Sequence, residues 1–259
     1  MERPYAEKMS CRIFIENIAL LEPGSNFRLT GEESKYIARV LRLVEGETVI
    51  ISSSTGPEYL ATIAAVEKKS VLLKIEGIDE TNRESSLDIT LCQSLPKSKK
   101  MDLIIQKCTE LGVRRFIPLT SSRSVSRPDN KEGSEKVKRW EKIALEACRQ
   151  CGRRFIPPVE NVIKFEDLLK NMGKLDNEKT LKLMPWESED NKSLRQLSHG
   201  EFEKVMLLIG PEGGFSSEEV DRARKAGFIP VSLGSRLLRT ETAGLATVSM
   251  LQYIWGDMG

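Results

Sequence analysis

The stretch that decides the fold lies near the C-terminus and runs Val205-Met-Leu-Leu-Ile-Gly-Pro-Glu-Gly-Gly-Phe-Ser-Ser-Glu-Glu219. Its apolar start predicts a buried strand over Val205–Ile209, followed by a glycine-rich turn; Ser216 and Glu219 have the spacing of a capping box that opens a helix. In parallel α/β sheets, ligands bind where the strands end, so this turn is a candidate ligand site by position. Glu212 lies between the glycines and no Gly-Lys-Ser/Thr follows, which argues against a P-loop and for a neutral or cationic ligand.

A second stretch repeats this order downstream and runs Val231-Ser-Leu-Gly-Ser-Arg-Leu-Leu-Arg-Thr-Glu-Thr-Ala-Gly244. It predicts a strand, a glycine turn and then a helix that begins with small residues. Leu237 and Leu238 are apolar in an otherwise polar turn, which is expected only if they wrap a ligand or are covered by other parts of the chain. Small side chains at Ala243 and Gly244 allow another backbone to approach closely.

The second part of the chain alternates strands and helices throughout. Strands are predicted over Leu87–Gln93, Phe116–Leu119, Thr180–Met184, Val205–Ile209 and Ile229–Leu233. Helices are predicted over Lys99–Leu111, Glu135–Cys151, Phe165–Asn171, Ser217–Ala226 and Thr240–Trp255. This alternation predicts an α/β domain with a largely parallel sheet.

The first part of the chain has a different pattern and predicts a small β-barrel. Its strands are predicted over Cys11–Ile15, Thr48–Ser52, Tyr59–Val66 and Val71–Ile75. One short helix should begin at Thr30-Gly-Glu-Glu33, which has capping-box spacing, and should place Ile37, Val40 and Leu41 on one face. The polar segment Asp79–Ser86 marks the boundary, so the predicted domains are residues 1–80 and 85–259.

Composition excludes several classes of protein. With 259 residues, 39% of them hydrophobic and 30% charged, the chain is globular rather than disordered. Its apolar runs are too short to span a bilayer, and its charged N-terminus lacks a secretory signal, which predicts a cytoplasmic location. Cys148 and Cys151 form one CxxC, but a structural zinc site needs four ligands and His199 is the single histidine, so neither zinc nor Ser-His-Asp catalysis is expected.

Positive charge is concentrated in one part of the chain. The total net charge is only +2, yet residues 95–155 hold 16 basic against 7 acidic side chains, a net charge of +9. A surface of this kind is typical of proteins that contact phosphates, although a solvated helical face has the same composition.

These stretches resemble the signature of the SPOUT-class bacterial methyltransferases that make N3-methyluridine in 16S ribosomal RNA of the small ribosomal subunit. The resemblance is carried by Leu208–Ser216 and Leu233–Ala243. Further matching blocks are Met101-Asp-Leu-Ile-Ile-Gln-Lys-Cys-Thr-Glu-Leu-Gly-Val113, Pro118-Leu-Thr-Ser-Ser-Arg-Ser-Val125, Arg139–Arg153 and Arg39-Val-Leu-Arg42. The blocks cover nearly the whole chain in the same order.

The resemblance implies a PUA-like β-barrel followed by a SPOUT domain whose C-terminal part forms a deep trefoil knot, an exception to the rule that chains are unknotted. It also implies a homodimer, S-adenosylmethionine as the cofactor, and small-subunit ribosomal RNA or the assembled 30S subunit as the partner. No metal and no membrane are expected to take part.

The resemblance also implies residue roles. The cofactor is expected at Met184, Leu208, Ile209, Gly210, Pro211, Glu212, Gly213, Leu233, Gly234, Leu237, Leu238, Arg239, Thr242 and Ala243. Glu212 or Glu241 is the candidate base for the uridine N3 proton, and Arg123 or Arg239 the candidate cation for the uracil oxygens. RNA phosphates are expected to contact Arg12, Arg39, Arg42, Lys97, Lys99, Lys100, Lys107, Arg123, Arg127 and Arg149.

Two alternatives stay open at this point. A SPOUT ribose 2′-O-methyltransferase acting on ribosomal or transfer RNA would share the fold and cofactor. A non-catalytic ribosome-assembly protein that binds RNA would share the fold, but it would have no use for an intact cofactor pocket. A nucleotide-dependent dehydrogenase is disfavoured, because the glycine pattern differs from Gly-x-Gly-x-x-Gly and lies near the C-terminus.

Overall fold

The structure is a computed structural model and describes residues 11–15, 18, 20–53, 56–175, 180–189, 192–197 and 202–259. The chain forms two compact units. One combines the residues up to Glu84 with Cys148–Phe155, and the other combines Ser85–Ala147 with Ile156–Gly259. The predicted division into 1–80 and 85–259 stays a prediction. It did not place Cys148–Phe155 with the first unit.

The first unit is built on a five-stranded sheet in the order β1-β3-β4-β5-β2. The strands are β1 (Cys11–Phe14), β2 (Asn26–Thr30), β3 (Thr48–Ser52), β4 (Glu58–Val66) and β5 (Ser70–Asp79). β1 and β3 are parallel and the other neighbours antiparallel. Along β5, buried Val71, Leu73 and Ile75 alternate with more exposed residues, as expected for a sheet with one face on a core.

A helical segment between β2 and β3 differs from the prediction. Helix α1 covers only Gly31–Lys35 and continues as a π-helical turn over Tyr36–Leu41. A π turn bonds i to i+5 and so rotates the side chains that follow it. Ile37 is buried as predicted, whereas Val40 is 66% exposed. The predicted cap is also wrong, since the Thr30 side chain makes no capping hydrogen bond.

Arg12, which was predicted to contact RNA, lies inside the first unit. Its side chain is 1% exposed; Nη1 donates to the Gly152 carbonyl at 2.5 Å and lies 3.1 Å from Glu58 Oε1. Burial lowers the pKa of Arg12, although Glu58 acts in the opposite direction. The guanidinium is an internal connection between a strand and the segment at Gly152.

Arg149, also predicted to contact RNA, is held by contacts within the same unit. Its side chain is 8% exposed, Nη2 lies 2.5 Å from Glu33 Oε1, and its guanidinium carbon lies 4.0 Å from the centre of the Tyr36 ring. An ion pair combined with a cation–π contact leaves little of the guanidinium for a phosphate.

Burial raises the pKa of the Cys148 thiol to about 12, which makes this thiol a poor nucleophile.

The second unit contains a six-stranded, fully parallel sheet in the order β11-β9-β10-β6-β7-β8. Its strands are β6 (Asp88–Ser94), β7 (Arg115–Thr120), β8 (Ile163–Lys164), β9 (Thr180–Pro185), β10 (Lys204–Ile209) and β11 (Ile229–Val231). Its helices are α2 (Lys100–Glu110), α3 (Asn130–Cys151, whose last turn belongs to the first unit), α4 (Phe165–Leu175), α5 (Leu194–Leu197), α6 (Ser217–Lys225) and α7 (Thr240–Trp255). The predicted α/β fold with a parallel sheet is confirmed.

Strand β10 lies at the centre of this sheet and is buried on both faces. Val205, Leu207 and Ile209 join one apolar cluster, together with residues of α2 and α7. Met206 and Leu208 join a second cluster, together with residues of α4 and α6. Because successive strand side chains alternate between faces, a continuous apolar run suits a parallel strand covered on both sides. Where residues are described, no helix is long and apolar enough to cross a membrane.

Candidate functional site

A cleft of about 520 Å³ opens at the carboxyl ends of β9 and β10. Three segments line it: the end of β9, the glycine turn after β10, and the loop that leads from β11 into α7. Its lining residues are Pro185, Trp186, Glu187, Ile209, Gly210, Pro211, Glu212, Gly213, Gly214, Phe215, Ser232, Leu233, Gly234, Ser235, Arg236, Leu237, Leu238, Arg239, Thr240 and Ala243. The two glycine stretches of the sequence therefore meet at one cleft.

The predicted capping box at the start of α6 is confirmed, and its glutamate also contacts a second loop. Ser216 Oγ accepts from the Glu219 N–H at 3.2 Å, and Glu219 Oε2 accepts from the Ser216 N–H at 3.0 Å. The same carboxylate accepts from the Ser122 N–H at 2.7 Å and from Ser122 Oγ at 2.9 Å. Glu219 is 3% exposed, so one buried acid fixes both the glycine turn and the loop that carries Arg123.

Gly214 shows why the first turn needs glycine. Its φ of +66° lies in the left-handed region, and a Cβ at this position would overlap the Glu187 carboxylate. A side chain at Gly214 would therefore be strained in the backbone and would also displace a residue of the cleft wall.

Thr240 connects the ends of two strands to the start of α7. Its Oγ1 donates to the Gly210 carbonyl at 2.6 Å and accepts from Gln93 Nε2 at 3.0 Å. Gln93 is fully buried and Thr240 is 4% exposed, so water does not substitute for these bonds. A Cβ at Gly244 would lie 3.2 Å from Gln93 Oε1, which accounts for the small residue predicted to allow close approach.

We expect Thr240→Val to lower the free energy of unfolding of the second unit by about 1–3 kcal/mol, because it leaves the Gly210 carbonyl and a Gln93 N–H without this partner. Thr247→Val is the matched control on the same helix. Thr247 is 0% exposed, but its hydroxyl only donates to the Ala243 carbonyl one turn earlier, at 2.7 Å.

Urea unfolding followed by tryptophan fluorescence measures both variants, since Trp140, Trp186 and Trp255 all lie in the second unit. Equal losses of stability in the two variants would contradict the role given to Thr240.

The loop after β11 gives the cleft its apolar wall. Leu237 is 84% exposed and Leu238 36% exposed, although both are large apolar residues. Arg239 provides no side-chain cap for the first N–H groups of α7. Exposed apolar side chains next to uncapped backbone donors are the features expected of a site for a ligand with an apolar body and polar groups.

The two candidate acids meet at one lysine. Lys100 Nζ lies 3.4 Å from Glu212 Oε1 and 3.2 Å from Glu241 Oε2. Glu212 Oε1 also accepts from the Lys97 N–H at 2.9 Å. Desolvation acts to raise the pKa of Glu212, but hydrogen bonds from the backbone and from Lys100 outweigh it, and the pKa is lowered. Lys100 was predicted to contact RNA, and the structure instead places its ammonium on these acids.

Arg123 contacts the glycine turn, and Arg239 lines the cleft. Arg123 is exposed, and its Nη1 donates to the Gly213 carbonyl at 2.9 Å. Arg239 is exposed and lines the cleft directly before α7.

Three residues predicted to bind the cofactor do not line the cleft. Met184 and Leu208 are 0% exposed and point to the face of the sheet whose apolar cluster includes residues of α4 and α6. Thr242 is exposed on α7 outside the lining. Their contact with the cofactor stays a prediction.

Trp186 and Glu187 at the end of β9 line the cleft, as expected for residues directly after a predicted strand. Sequence reasoning missed Phe215 and Ser232, which also line it. Trp186 is half-buried, and the Arg224 guanidinium lies 5.4 Å from its ring centre. Within the described part of the chain, no group of three or more His, Cys, Asp or Glu side chains is arranged to hold a metal ion.

The other residues predicted to bind RNA differ in solvent exposure and in ion pairing. Lys97, Lys99 and Arg127 of the second unit are exposed, as are Arg39 and Arg42 of the first. Lys107 is 41% exposed and pairs with Glu110 at 2.9 Å. Their contacts with RNA stay a prediction.

Comparison with known proteins bears on the fold and the site together. Residues 83–252 match the model of an RNA methyltransferase domain, and residues 29–76 match that of an RNA methyltransferase PUA domain. The chain belongs to this RNA methyltransferase family. The predicted resemblance is confirmed, and so is the PUA-like nature of the first unit.

Relatives within the family match along almost their full length. Ribosomal RNA small subunit methyltransferase E of Bacillus subtilis is 36% identical over 253 residues, which cover 93% of this chain and 96% of the relative. The protein of the same name from Buchnera aphidicola is 34% identical, with 95% and 94% covered. A crystal structure of the Neisseria gonorrhoeae protein bound to S-adenosylmethionine has a TM-score of 0.85 at 32% identity and covers 96% of this chain and 100% of that one.

Proposed function

We propose that this chain is an S-adenosylmethionine-dependent RNA methyltransferase that methylates uridine N3 in 16S ribosomal RNA of the small ribosomal subunit. The observation that carries the proposal is the single cleft formed by both glycine stretches at the strand ends. In its support, a relative that shares the fold over the full chain binds S-adenosylmethionine, and full-length relatives are named for methylation of this RNA.

The cleft residues fit this cofactor. Leu237 and Leu238 offer apolar surface for an adenine ring, while the backbone of the glycine turn and of the α7 start offers polar groups. The acids Glu187 and Glu212 give part of the lining negative charge, which suits a sulfonium and an ammonium group. When bound, the cofactor would supply an already activated methyl group.

The chain's own residues then have three tasks. They hold the uridine in line with the methyl group and keep water out, which the loop around Leu237 supports. A carboxylate at the cleft accepts the N3 proton. A guanidinium, Arg123 or Arg239, stabilises the charge that spreads to the uracil oxygens.

The same proposal includes the trefoil knot, a homodimer and a cytoplasmic location. Exposed Leu103 on α2 and Tyr253 on α7 support the dimer, because α2 and α7 pack together and each leaves a large apolar side chain exposed. Light scattering of the purified protein tests the dimer directly.

Transfer of tritium from labelled S-adenosylmethionine to small-subunit particles that lack the modification tests the function. Nucleoside analysis should show N3-methyluridine. A ribose-methylated nucleoside would support the 2′-O alternative, and cofactor binding without transfer to RNA would contradict the enzymatic proposal.

A further inference from the structure

A short segment with two exposed lysines is held against the glycine turn after β10. Residues 97–99 follow buried Pro96, directly precede α2 and are all exposed. The Lys97 N–H donates to Glu212 Oε1 at 2.9 Å, although the two residues are 115 positions apart in the chain. Because Glu212 lines the cleft, one carboxylate of the cleft wall holds this segment in place.

The segment depends on this anchor. In the described part of the chain, the bond from Lys97 to Glu212 is the only hydrogen bond that joins the segment to another loop; the Lys99 carbonyl accepts from the Asp102 N–H at 3.0 Å, but that bond lies within the start of α2. Ser98 has a φ of +58°, in the left-handed region, where a residue other than glycine is strained unless its surroundings hold it. A carboxylate suits this task, because it accepts a stronger hydrogen bond than a neutral oxygen does.

A second basic segment contacts the same turn. Arg123 Nη1 donates to the Gly213 carbonyl at 2.9 Å, and Arg127 Nη2 donates to the Ser122 carbonyl of the same loop at 2.6 Å. Both arginines are exposed. This loop and the lysine segment both belong to residues 95–155, whose net charge is +9. Two basic segments bonded to one turn make its surroundings attractive to phosphates.

We propose that Glu212 is a positioning residue for RNA: by holding the Lys97 N–H, it keeps the ammonium groups of Lys97 and Lys99 beside the cleft, where they contact phosphates of the strand that carries the target uridine. The inference rests on the proposed function. Phosphate contacts fix the register of a protein on a nucleic acid, so anchored lysines would help to present the uridine to the cleft. Lys100 lies 3.4 Å from Glu212 and 3.2 Å from Glu241, and its charge offsets the repulsion between these acids and the strand.

The sign of the effect distinguishes this role from simple electrostatics. Removal of an acid near RNA should tighten binding if only its charge matters, whereas loss of the anchor should weaken binding. Co-sedimentation with small-subunit particles that lack the modification measures the Kd, without S-adenosylmethionine and between about 50 and 200 mM salt. Glu212→Ala should raise the Kd about fivefold and reduce the slope of log Kd against log salt by about one.

A double-mutant cycle tests whether the lysines carry the effect. Lys97→Met/Lys99→Met should reduce the salt slope by about two, and in this background Glu212→Ala should cost no further affinity. Glu212→Gln keeps an oxygen that can accept from the Lys97 N–H, so its Kd should lie between those of wild type and Glu212→Ala. Glu110→Gln is the matched control. Glu110 is 26% exposed, against 27% for Glu212, and accepts from Lys107 Nζ at 2.9 Å within α2. This variant should leave the Kd unchanged or lower it.

Three results would overturn the inference: Glu212→Ala binding the particles as tightly as wild type or more tightly, an equal loss in the background without both lysines, or an equal loss in Glu110→Gln. Should circular dichroism show that Glu212→Ala does not fold, Glu212→Gln decides instead: a Kd raised about twofold or more supports the anchor, and any smaller change overturns it. A wild type that methylates the particles without the expected losses in the variants overturns this inference alone. A wild type that neither binds nor methylates them overturns the proposed function as well.

Discussion

Glu241→Gln should lower kcat for methyl transfer to small-subunit particles by about 10²–10⁴-fold, with the Kd for S-adenosylmethionine within about twofold of wild type. The amide keeps the shape of the side chain but cannot take a proton. Because Glu241 lies in the first turn of α7 and its Oε2 accepts no hydrogen bond from the described residues, the fold of the cleft should persist. Single-turnover assays and calorimetry measure the two quantities separately.

Glu212→Gln is the matched control, since it removes the other carboxylate that contacts Lys100. Glu212 Oε1 holds the Lys97 N–H, so this variant should loosen the glycine turn and raise the Kd for the cofactor, with kcat reduced less than about tenfold. A Glu241→Gln enzyme that retains nearly full turnover would remove Glu241 from the chemistry. If only Glu212→Gln abolished turnover, the base would be Glu212.

The sheet of the second unit could be predicted because local signals and tertiary structure agree there. A continuous apolar run such as Val205–Ile209 is stable only as a strand covered on both faces. The Ser216–Glu219 spacing indicates where the next helix begins. The helix around Ile37 could not be predicted as well. Its π turn depends on the neighbouring chain rather than on propensity, and propensity is the only local guide.

The site was predictable to the level of the loops but not of each side chain. Position after a strand indicated the cleft, and Gly210 and Leu237 both line it. The hydrogen bonds from Gln93 to Thr240 and from Lys97 to Glu212 join residues more than a hundred positions apart, and no spacing rule reveals such pairs. A one-residue difference also matters along a strand, since Met184 is buried in the core whereas Pro185 lines the cleft.

The charge of a residue was the weakest guide to its position in the structure. Arg12 and Arg39 carry the same guanidinium and were predicted to have the same role. The structure places Arg39 on the surface and Arg12 in the core of the first unit, beside Glu58. Buried arginines of this kind connect elements internally, and removal of one partner leaves the other charge unpaired in a region that water does not reach.

Arg12→Met should therefore lower the free energy of unfolding of the first unit by about 3–5 kcal/mol, because Glu58, 2% exposed, would lose its counter-ion and the Gly152 carbonyl its donor. Amide hydrogen exchange of peptides from β4 and β5 measures the effect, since these strands belong to the first unit. Arg39→Met, on the exposed surface, should change the free energy of unfolding derived from exchange by less than about 0.5 kcal/mol.

The double variant Arg12→Met/Glu58→Met provides the decisive comparison. With both charges gone, no ion remains unpaired, and more than half of the lost stability should return, because apolar replacements of a buried ion pair are often neutral. If the double variant is instead as unstable as Arg12→Met, the cost lies in the lost bond to Gly152 and not in an orphaned carboxylate. Exchange rates equal to wild type in Arg12→Met would mean that Arg12 is not buried beside Glu58, and would reopen its assignment to the RNA-binding surface.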